Sequence, residues 1–427
     1  MRLQLNELAQ SYRYGKARGI VSVCSAHPIV LRAAIRHGLQ INSTILIEAT
    51  CNQVNQDGGY TGKRPKDFVK LVERIAAEEG LPADQLILGG DHLGPNPWKF
   101  LNQEQAMEKA SELVKNYVSA GFNKIHLDTS MGCKDEPNRI SDELSAIRAT
   151  KLLGIAETTA KKNNLPPPHY VIGTEVPAPG GANHLLNKVV PTTPKNAIKT
   201  IETHLNKINL EGYSDVIPRI IGVVVQPGVE FGNQNIVLYD RKKTTLLKKI
   251  LNDYPNLIFE AHSTDYQGGH RLSELVQDGF LILKVGPELT FSLREGLYGL
   301  DLIASELFGS YGNRPLYKTM EELMVSNPSH WKDYYFGTNI EMRSLRHYSL
   351  SDRIRYYWNT ETAINAVDEL YNTIRGKKIP YTLIKQFLPS ETKFADIPLE
   401  PGNLLISKIT QNLQVYSKAC EHTTDGQ

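Results

Sequence analysis

Lys124-Ile-His126-Leu-Asp128 is an apolar run that stops on an imidazole and a carboxylate, and three other segments end in the same way: Leu86-Ile-Leu-Gly-Gly-Asp91-His92, Tyr170-Val-Ile-Gly-Thr-Glu175 and Leu257-Ile-Phe-Glu260-Ala-His262. Each reads as a buried parallel strand whose last residues leave the core and present acid or imidazole. Strand side chains alternate between faces. With Ile125 and Leu127 turned towards covering helices, His126 and Asp128 point into the interior, and Glu260 and His262 share a face opposite Phe259 and Ala261. Strand ends of this kind, if they converge, form a divalent-metal site.

Working outward, the same rhythm recurs eight times. The predicted strands are Gly19–Ser25, Thr44–Thr50, Gln85–Asp91, Lys124–Thr129, His169–Glu175, Ile220–Gln226, Asn256–Ala261 and Phe280–Val285, with helical patterns between them such as Pro65–Glu79, Gln103–Ala120 and Ser141–Lys162. Near-continuous Ile/Val/Leu strands alternating with helices mark a parallel sheet covered on both faces. Eight units over roughly 290 residues predict an α/β fold, a (β/α)8 TIM barrel. A doubly wound open sheet is the alternative, but it ordinarily carries fewer strands and a G-x-G-x-x-G loop, which this chain lacks. The polar, glycine- and proline-rich segments after each strand belong at the C-terminal face of such a barrel. Residues 1–309 are therefore assigned to the barrel. Residues 310–427, where the rhythm stops, are assigned to a mostly helical extension that covers the barrel mouth or forms an interface.

Bulk composition narrows the function. The chain has 427 residues and carries 48 basic against 46 acidic side chains, a net charge of +2, so no strong field draws nucleic acid or a membrane surface. Small anions remain accessible through a local basic pocket. No apolar run is long enough to span a bilayer, and the N-terminus has no signal-type apolar core. Cys24, Cys51, Cys133 and Cys420 are scattered without a C-x-x-C, which fits free thiols in a reducing cytoplasm.

A catalytic zinc or similar first-row ion takes three protein ligands and keeps an open position. His92, Glu175 and His262 supply that set from three strand ends, with Asp91, Asp128, Glu260 and Gln226 as reserve ligands or supports. Adjacent strand residues point in different directions, so Asp91 beside His92 is available as general acid/base, unless it caps the following turn. Ser263-Thr264-Asp265 and Gly286-Pro287 follow the seventh and eighth strands, where barrels commonly bind phosphate, and Lys284 adds charge there. Asn52, Gln53, Asn55 and Gln56 suit sugar hydroxyls or a solvated turn equally. Arg353 and Arg355 reach a phosphate from the extension or form a salt-bridged face. His126 reads as a satisfied interior histidine. A Schiff-base lysine, Lys284 or Lys124, competes less well than the metal constellation.

Long motifs in order then resemble one family. They are Cys24-Ser-Ala-His-Pro, Glu48-Ala-Thr-Cys-Asn-Gln-Val-Asn-Gln, Gly-Gly-Asp91-His-Leu-Gly-Pro-Asn, Gly173-Thr-Glu-Val-Pro, Val225-Gln-Pro-Gly-Val-Glu-Phe, Glu260-Ala-His-Ser-Thr-Asp-Tyr-Gln and Tyr348-Ser-Leu-Ser-Asp-Arg-Ile-Arg-Tyr-Tyr-Trp. Together they resemble the Z-type subunit of tagatose-1,6-bisphosphate aldolase, which is similar in turn to the class II, metal-dependent ketose-bisphosphate aldolases. The resemblance implies that His92 and His262 are metal ligands and that Asp91 handles protons. It also implies a histidine on the sixth strand, where this chain has Gln226. Either the metal site has been lost, as befits a stabilising subunit of an aldolase, or Glu175 fills the gap.

Massed interior acids cost stability unless a cation or protons neutralise them, which favours an intact site. The activity then expected is retro-aldol and aldol chemistry at C3–C4 of a ketohexose phosphate, with Asp91 or Asp128 taking the C4 hydroxyl proton. The preferred outcome is 4-epimerisation between tagatose and fructose 6-phosphates. The alternatives are aldol cleavage itself, or a non-catalytic role beside an aldolase partner subunit. Zinc is the expected ion, with manganese, cobalt or nickel as substitutes. The substrate is a sugar or sugar phosphate, substrate contacts are assigned to Asn52, Gln53, Gln226, Glu260, Ser263, Asp265, Lys284 and Arg353, and a cytoplasmic homo-oligomer is expected.

Overall fold

A computed structural model describes residues 4–173 and 189–421. Its strands are β1 (Ile20–Val23), β2 (Ile45–Thr50), β3 (Leu86–Leu93), β4 (Lys124–Leu127), β5 (His169–Ile172), β6 (Ile220–Val224), β7 (Ile258–Ala261) and β8 (Phe280–Val285). Each pairs in parallel with its neighbours, and β1 pairs with both β2 and β8, so the sheet closes into an eight-stranded barrel. Closure decides against the open doubly wound sheet.

The barrel helices start where the chain chemistry dictates. α1 (Pro28–Gln40), α2 (Pro65–Glu79) and α5 (Pro194–Leu210) begin on proline, whose fixed φ suits the first turn. α3 (Gln103–Ser119) and α4 (Asp142–Lys162) are capped by the Asn102 and Ser141 side chains. The stretch after β6 is less regular than its pattern suggests. It holds a two-stranded hairpin, the four-residue α6 (Arg241–Thr244) and a 3-10 turn at Lys248–Asn252. α7 (Gly268–Gln277) and α8 (Pro287–Leu307) follow.

α8 is buried over most of its surface, because later helices pack around it: α9 (Pro315–Ser326), α10 (Asn339–Tyr348), α11 (Glu361–Ile374), α12 (Tyr381–Phe387) and α13 (Pro401–Cys420). The last of these does not belong to an appendage. α13 packs against α1, α7, α8 and β1, in the outer ring between the first and seventh barrel helices. The Gly19 amide donates to the Cys420 carbonyl at 2.9 Å, His37 pairs with Ser417 at 2.7 Å, and the Tyr416 hydroxyl donates to the Thr264 carbonyl at 2.8 Å. A different part of the extension touches the loops after β2 and β7. There the Tyr356 ring meets Tyr60 of the β2 loop edge-on at 4.5 Å, and Tyr266 of the β7 loop donates to the Leu350 carbonyl.

The barrel interior holds a square of charge. Lys124 of β4 bridges Glu48 of β2 at 2.7 Å and Glu260 of β7 at 2.5 Å, and Lys284 of β8 bridges the same two carboxylates at 2.9 and 3.2 Å. All four side chains are buried. Buried charges persist only when paired, and here each ammonium has two carboxylates and each carboxylate two ammoniums. Gly89 makes room for this layer, since a Cβ there would lie 2.6 Å from Glu48 Cγ. Among the described residues no helix is long and apolar enough to cross a membrane.

Candidate metal centre and active site

Above the charged square, at the C-terminal ends of β3, β4 and β7, stand Asp91, His92, His126 and His262, with one potential ligand atom from each lying within 4.8 Å of the others. Simple alternation would send Asp91 and His92 to opposite faces. It fails because the β3–β4 register shifts between Gly90 and Leu93 and His92 adopts a left-handed φ of 51°. A bulge of this kind re-aims side chains, and both residues thereby enter one cluster.

The hydrogen bonds set the tautomers. His126 places Nε2 2.9 Å from the Gly173 carbonyl, which can only accept, so Nε2 carries the proton. Nδ1 is then the acceptor nitrogen: the His92 amide donates to it at 3.2 Å, yet it also lies 2.8 Å from Asp91 Oδ1, another acceptor. Two facing acceptors at that distance call for a proton or a cation. His92 Nδ1 lies 2.8 Å from Asp128 Oδ2, and His262 Nε2 lies 2.9 Å from Glu260 Oε1. Each carboxylate thereby fixes which nitrogen is protonated and directs the lone pair of the other, the support that metal-binding histidines characteristically have. Three imidazole lone pairs and one carboxylate fit a divalent metal ion.

Electrostatics agree. Burial, reinforced by Lys284, pushes the His262 imidazole down to about 3, so the ring is neutral at pH 7. Burial raises the Asp91 carboxyl, but His92 and Lys284 outweigh it and hold the group well below its usual range. Burial likewise opposes ionisation of Asp128, and the hydrogen bond from His92 brings it to about 2. For His92, burial favours the neutral ring while Asp91 and Asp128 more than offset it and raise its pKa. His92 keeps 19% side-chain exposure while the other three are buried, so the cluster opens to solvent on its side.

The remaining candidates are distributed unevenly. Glu175 lies outside the described residues. Lys284 sits inside the barrel, 2.5 Å from Asp91 and paired with Glu48 and Glu260, rather than on a phosphate loop. The Gln226 Oε1 accepts from the Gly228 and Val229 amides and thus shapes its own loop. Gln53 does the same, accepting from the Thr50 amide and donating to the Cys24 carbonyl, while Asn52 is exposed.

The phosphate position predicted after β7 and β8 already holds a negative group, because Asp265 accepts from the Gly286 and Glu288 amides at the start of α8. Ser263 is buried beside His262 with φ of 51°. Arg353 turns away from the mouth, donating to the His330 carbonyl and stacking on Tyr334. Arg355 instead lines a narrow cleft at the mouth with Cys24, His27, Gln53, Tyr60 and Thr290. Sequence reasoning placed His126 in the interior but missed its membership of the cluster. The signal was its alternation with Asp128.

A family model described as "D-tagatose-1,6-bisphosphate aldolase subunit GatZ/KbaZ-like" matches residues 5–421. A protein of Agrobacterium fabrum (strain C58 / ATCC 33970), named D-tagatose 6-phosphate 4-epimerase, is 53% identical over 415 residues, covering 97% of this chain and 98% of that one. A crystal structure of a probable tagatose 6 phosphate kinase from Sinorhizobium meliloti 1021 superposes with a TM-score of 0.87 at 46% identity, over 94% of this chain and 100% of that chain. With the motifs and the strand-end cluster on the same barrel, this chain belongs to the D-tagatose-1,6-bisphosphate aldolase subunit GatZ/KbaZ-like family.

Proposed function

We propose that the protein is a metal-dependent 4-epimerase that interconverts D-tagatose 6-phosphate and D-fructose 6-phosphate. The observation that carries this reading is the convergence of three tautomerically directed histidines with Asp91 at the C-terminal ends of three strands. We assign His92, His126 and His262 as ligands of a divalent ion, zinc for preference, with Asp91 at its rim. When bound, the ion supplies Lewis acidity towards the C2 and C3 oxygens of the ketose. Glu175, outside the described residues, remains a proposed further ligand.

The chain's own residues carry the proton. Asp91 accepts it from the C4 hydroxyl as the C3–C4 electron pair moves onto the three-carbon fragment. C4 becomes an aldehyde. The aldehyde turns, the fragment re-adds through its other face, and Asp91 returns the proton to the new C4 alkoxide. Asp128 and Glu260 hold His92 and His262 throughout. The turn Arg353–Tyr356 covers the mouth and retains the aldehyde fragment, which favours epimerisation over release as an aldolase product. Arg355, in place of Arg353, is assigned to the phosphate.

The purified protein, loaded with Zn2+ or Mn2+ and given tagatose 6-phosphate, is expected to form fructose 6-phosphate. In deuterated water neither C3 nor C4 should acquire deuterium, because both hydrogens stay on carbon through the cleavage. No phosphoryl transfer from ATP is expected. Deuterium at C4 would sink the retro-aldol route. An inert protein that raises the activity of an aldolase partner would establish the stabilising-subunit reading instead.

A further inference from the structure

Lys284 contacts three carboxylates, and one of them differs from the other two. Glu48 and Glu260 also have Lys124, so their charge is shared between two ammoniums. Asp91 lies above the square and belongs to the histidine cluster, yet Lys284 Nζ approaches it most closely, at 2.5 Å. The ammonium therefore reaches up from a self-sufficient layer and neutralises the one carboxylate of the ligand set. Its partners below are near enough to receive it back, at 2.9 Å for Glu48 and 3.2 Å for Glu260.

We propose that Lys284 and a divalent ion compete for Asp91, so that binding of the ion shifts the ammonium onto Glu48 and Glu260. This rests on the metal reading given above. The physics is like-charge exclusion. An ammonium bonded to Asp91 would stand within a few ångströms of a divalent ion held by His92, His126 and His262, and in a buried site such repulsion is screened weakly. Withdrawal removes most of it without leaving Lys284 unpaired, because the square below is negative enough to keep it. Loading then has a second effect, since it frees Asp91 to face substrate. Lys284 is in this sense a positioning residue. It competes for the one carboxylate of the ligand set and sets a ceiling on how tightly the site binds cations.

The test is the affinity of the purified full chain for Zn2+ and Mn2+, measured by competition with a chelating indicator. Lys284→Met is expected to bind both ions at least about tenfold more tightly than wild type, because it removes the competing charge. The same variant, stripped of metal, should unfold at a lower temperature than stripped wild type, and Lys284→Arg should restore wild-type affinity. A lysine with a merely structural role predicts the opposite sign, weaker binding in Lys284→Met through a disordered site.

Wild-type binding with unchanged or weakened affinity in a folded Lys284→Met overturns the proposal and leaves the metal site standing. A wild-type protein that takes up neither ion overturns both. Should Lys284→Met not fold, the crystal structure of zinc-loaded wild type decides. Nζ beyond about 4 Å from Asp91 supports withdrawal, and retention of the ion pair refutes it.

Discussion

Glu288 and Asp265 put two carboxyls at the start of α8, and their protonation couples the fold to pH. Burial, with Asp265 as a neighbour, pushes the Glu288 carboxyl up to about 7, and burial brings Asp265 to about 6. A carboxyl raised by folding keeps its proton longer in the folded state than in the unfolded chain. Stability is therefore greatest below the unfolded pKa, near 4.5 for Glu288, and falls as pH rises from there to about 7. Glu288→Gln retains an acceptor for the Tyr266 amide, which Glu288 Oε2 meets at 2.8 Å. It is expected to flatten this decline and to stabilise the protein at pH 8 by on the order of 1 kcal/mol, after allowance for partial exposure. Denaturant unfolding at pH 5 and pH 8 measures it, and an unchanged pH slope would count against the pair.

At this scale the sequence was informative in part. Alternation was enough to turn His126 and Asp128 inward, and the apolar-to-ligand transitions marked His92 and His262. Two facts were hidden. The tautomer of His126 depends on the Gly173 carbonyl of another strand, and the joint entry of Asp91 and His92 depends on a bulge that no periodicity announces. Arg353 and Arg355 could not be told apart, because a 3-10 turn separates their directions within two residues.

The eight strands were legible as elements because both faces of each are covered, so their Ile/Val/Leu runs are nearly unbroken. Helix starts were equally plain where Pro, Ser or Asn stands at the boundary. The charged square was harder to see, since Glu48, Lys124 and Lys284 look in isolation like ordinary polar interruptions of a strand. Gly89 is the clue to it, and it gives a prediction for β3. A methyl group there would meet Glu48 Cγ at 2.6 Å, Glu48 Cδ at 2.8 Å and Lys124 Cδ at 3.2 Å, all in a paired and buried layer. Gly89→Ala is expected to destabilise the barrel by about 1–3 kcal/mol and to lower activity with it. Urea titration of the two proteins checks the first, and a neutral effect would show that the layer can shift.

For the molecule as a whole, the proposed metal site joins the adjacent strands β3 and β4 to β7, which β5 and β6 separate from them, so an ion bound there would stabilise the fold as well as the chemistry. A ligand that binds only the folded state contributes about 2.7 kcal/mol at a hundredfold excess over its Kd. Chelation is accordingly expected to lower the melting temperature by several degrees, and added Zn2+ to restore it. Calorimetry with and without chelator measures this, and a melting temperature indifferent to both would argue against an ion bridging these strands.

The place of α13 has a consequence for how the protein folds. Its partners α1 and β1 come early in the described residues, whereas Cys420, whose carbonyl receives the Gly19 amide, comes late. Closing that contact joins segments far apart in the chain, the kind of non-local pairing that slows folding and leaves an apolar flank of the barrel uncovered in partly folded intermediates.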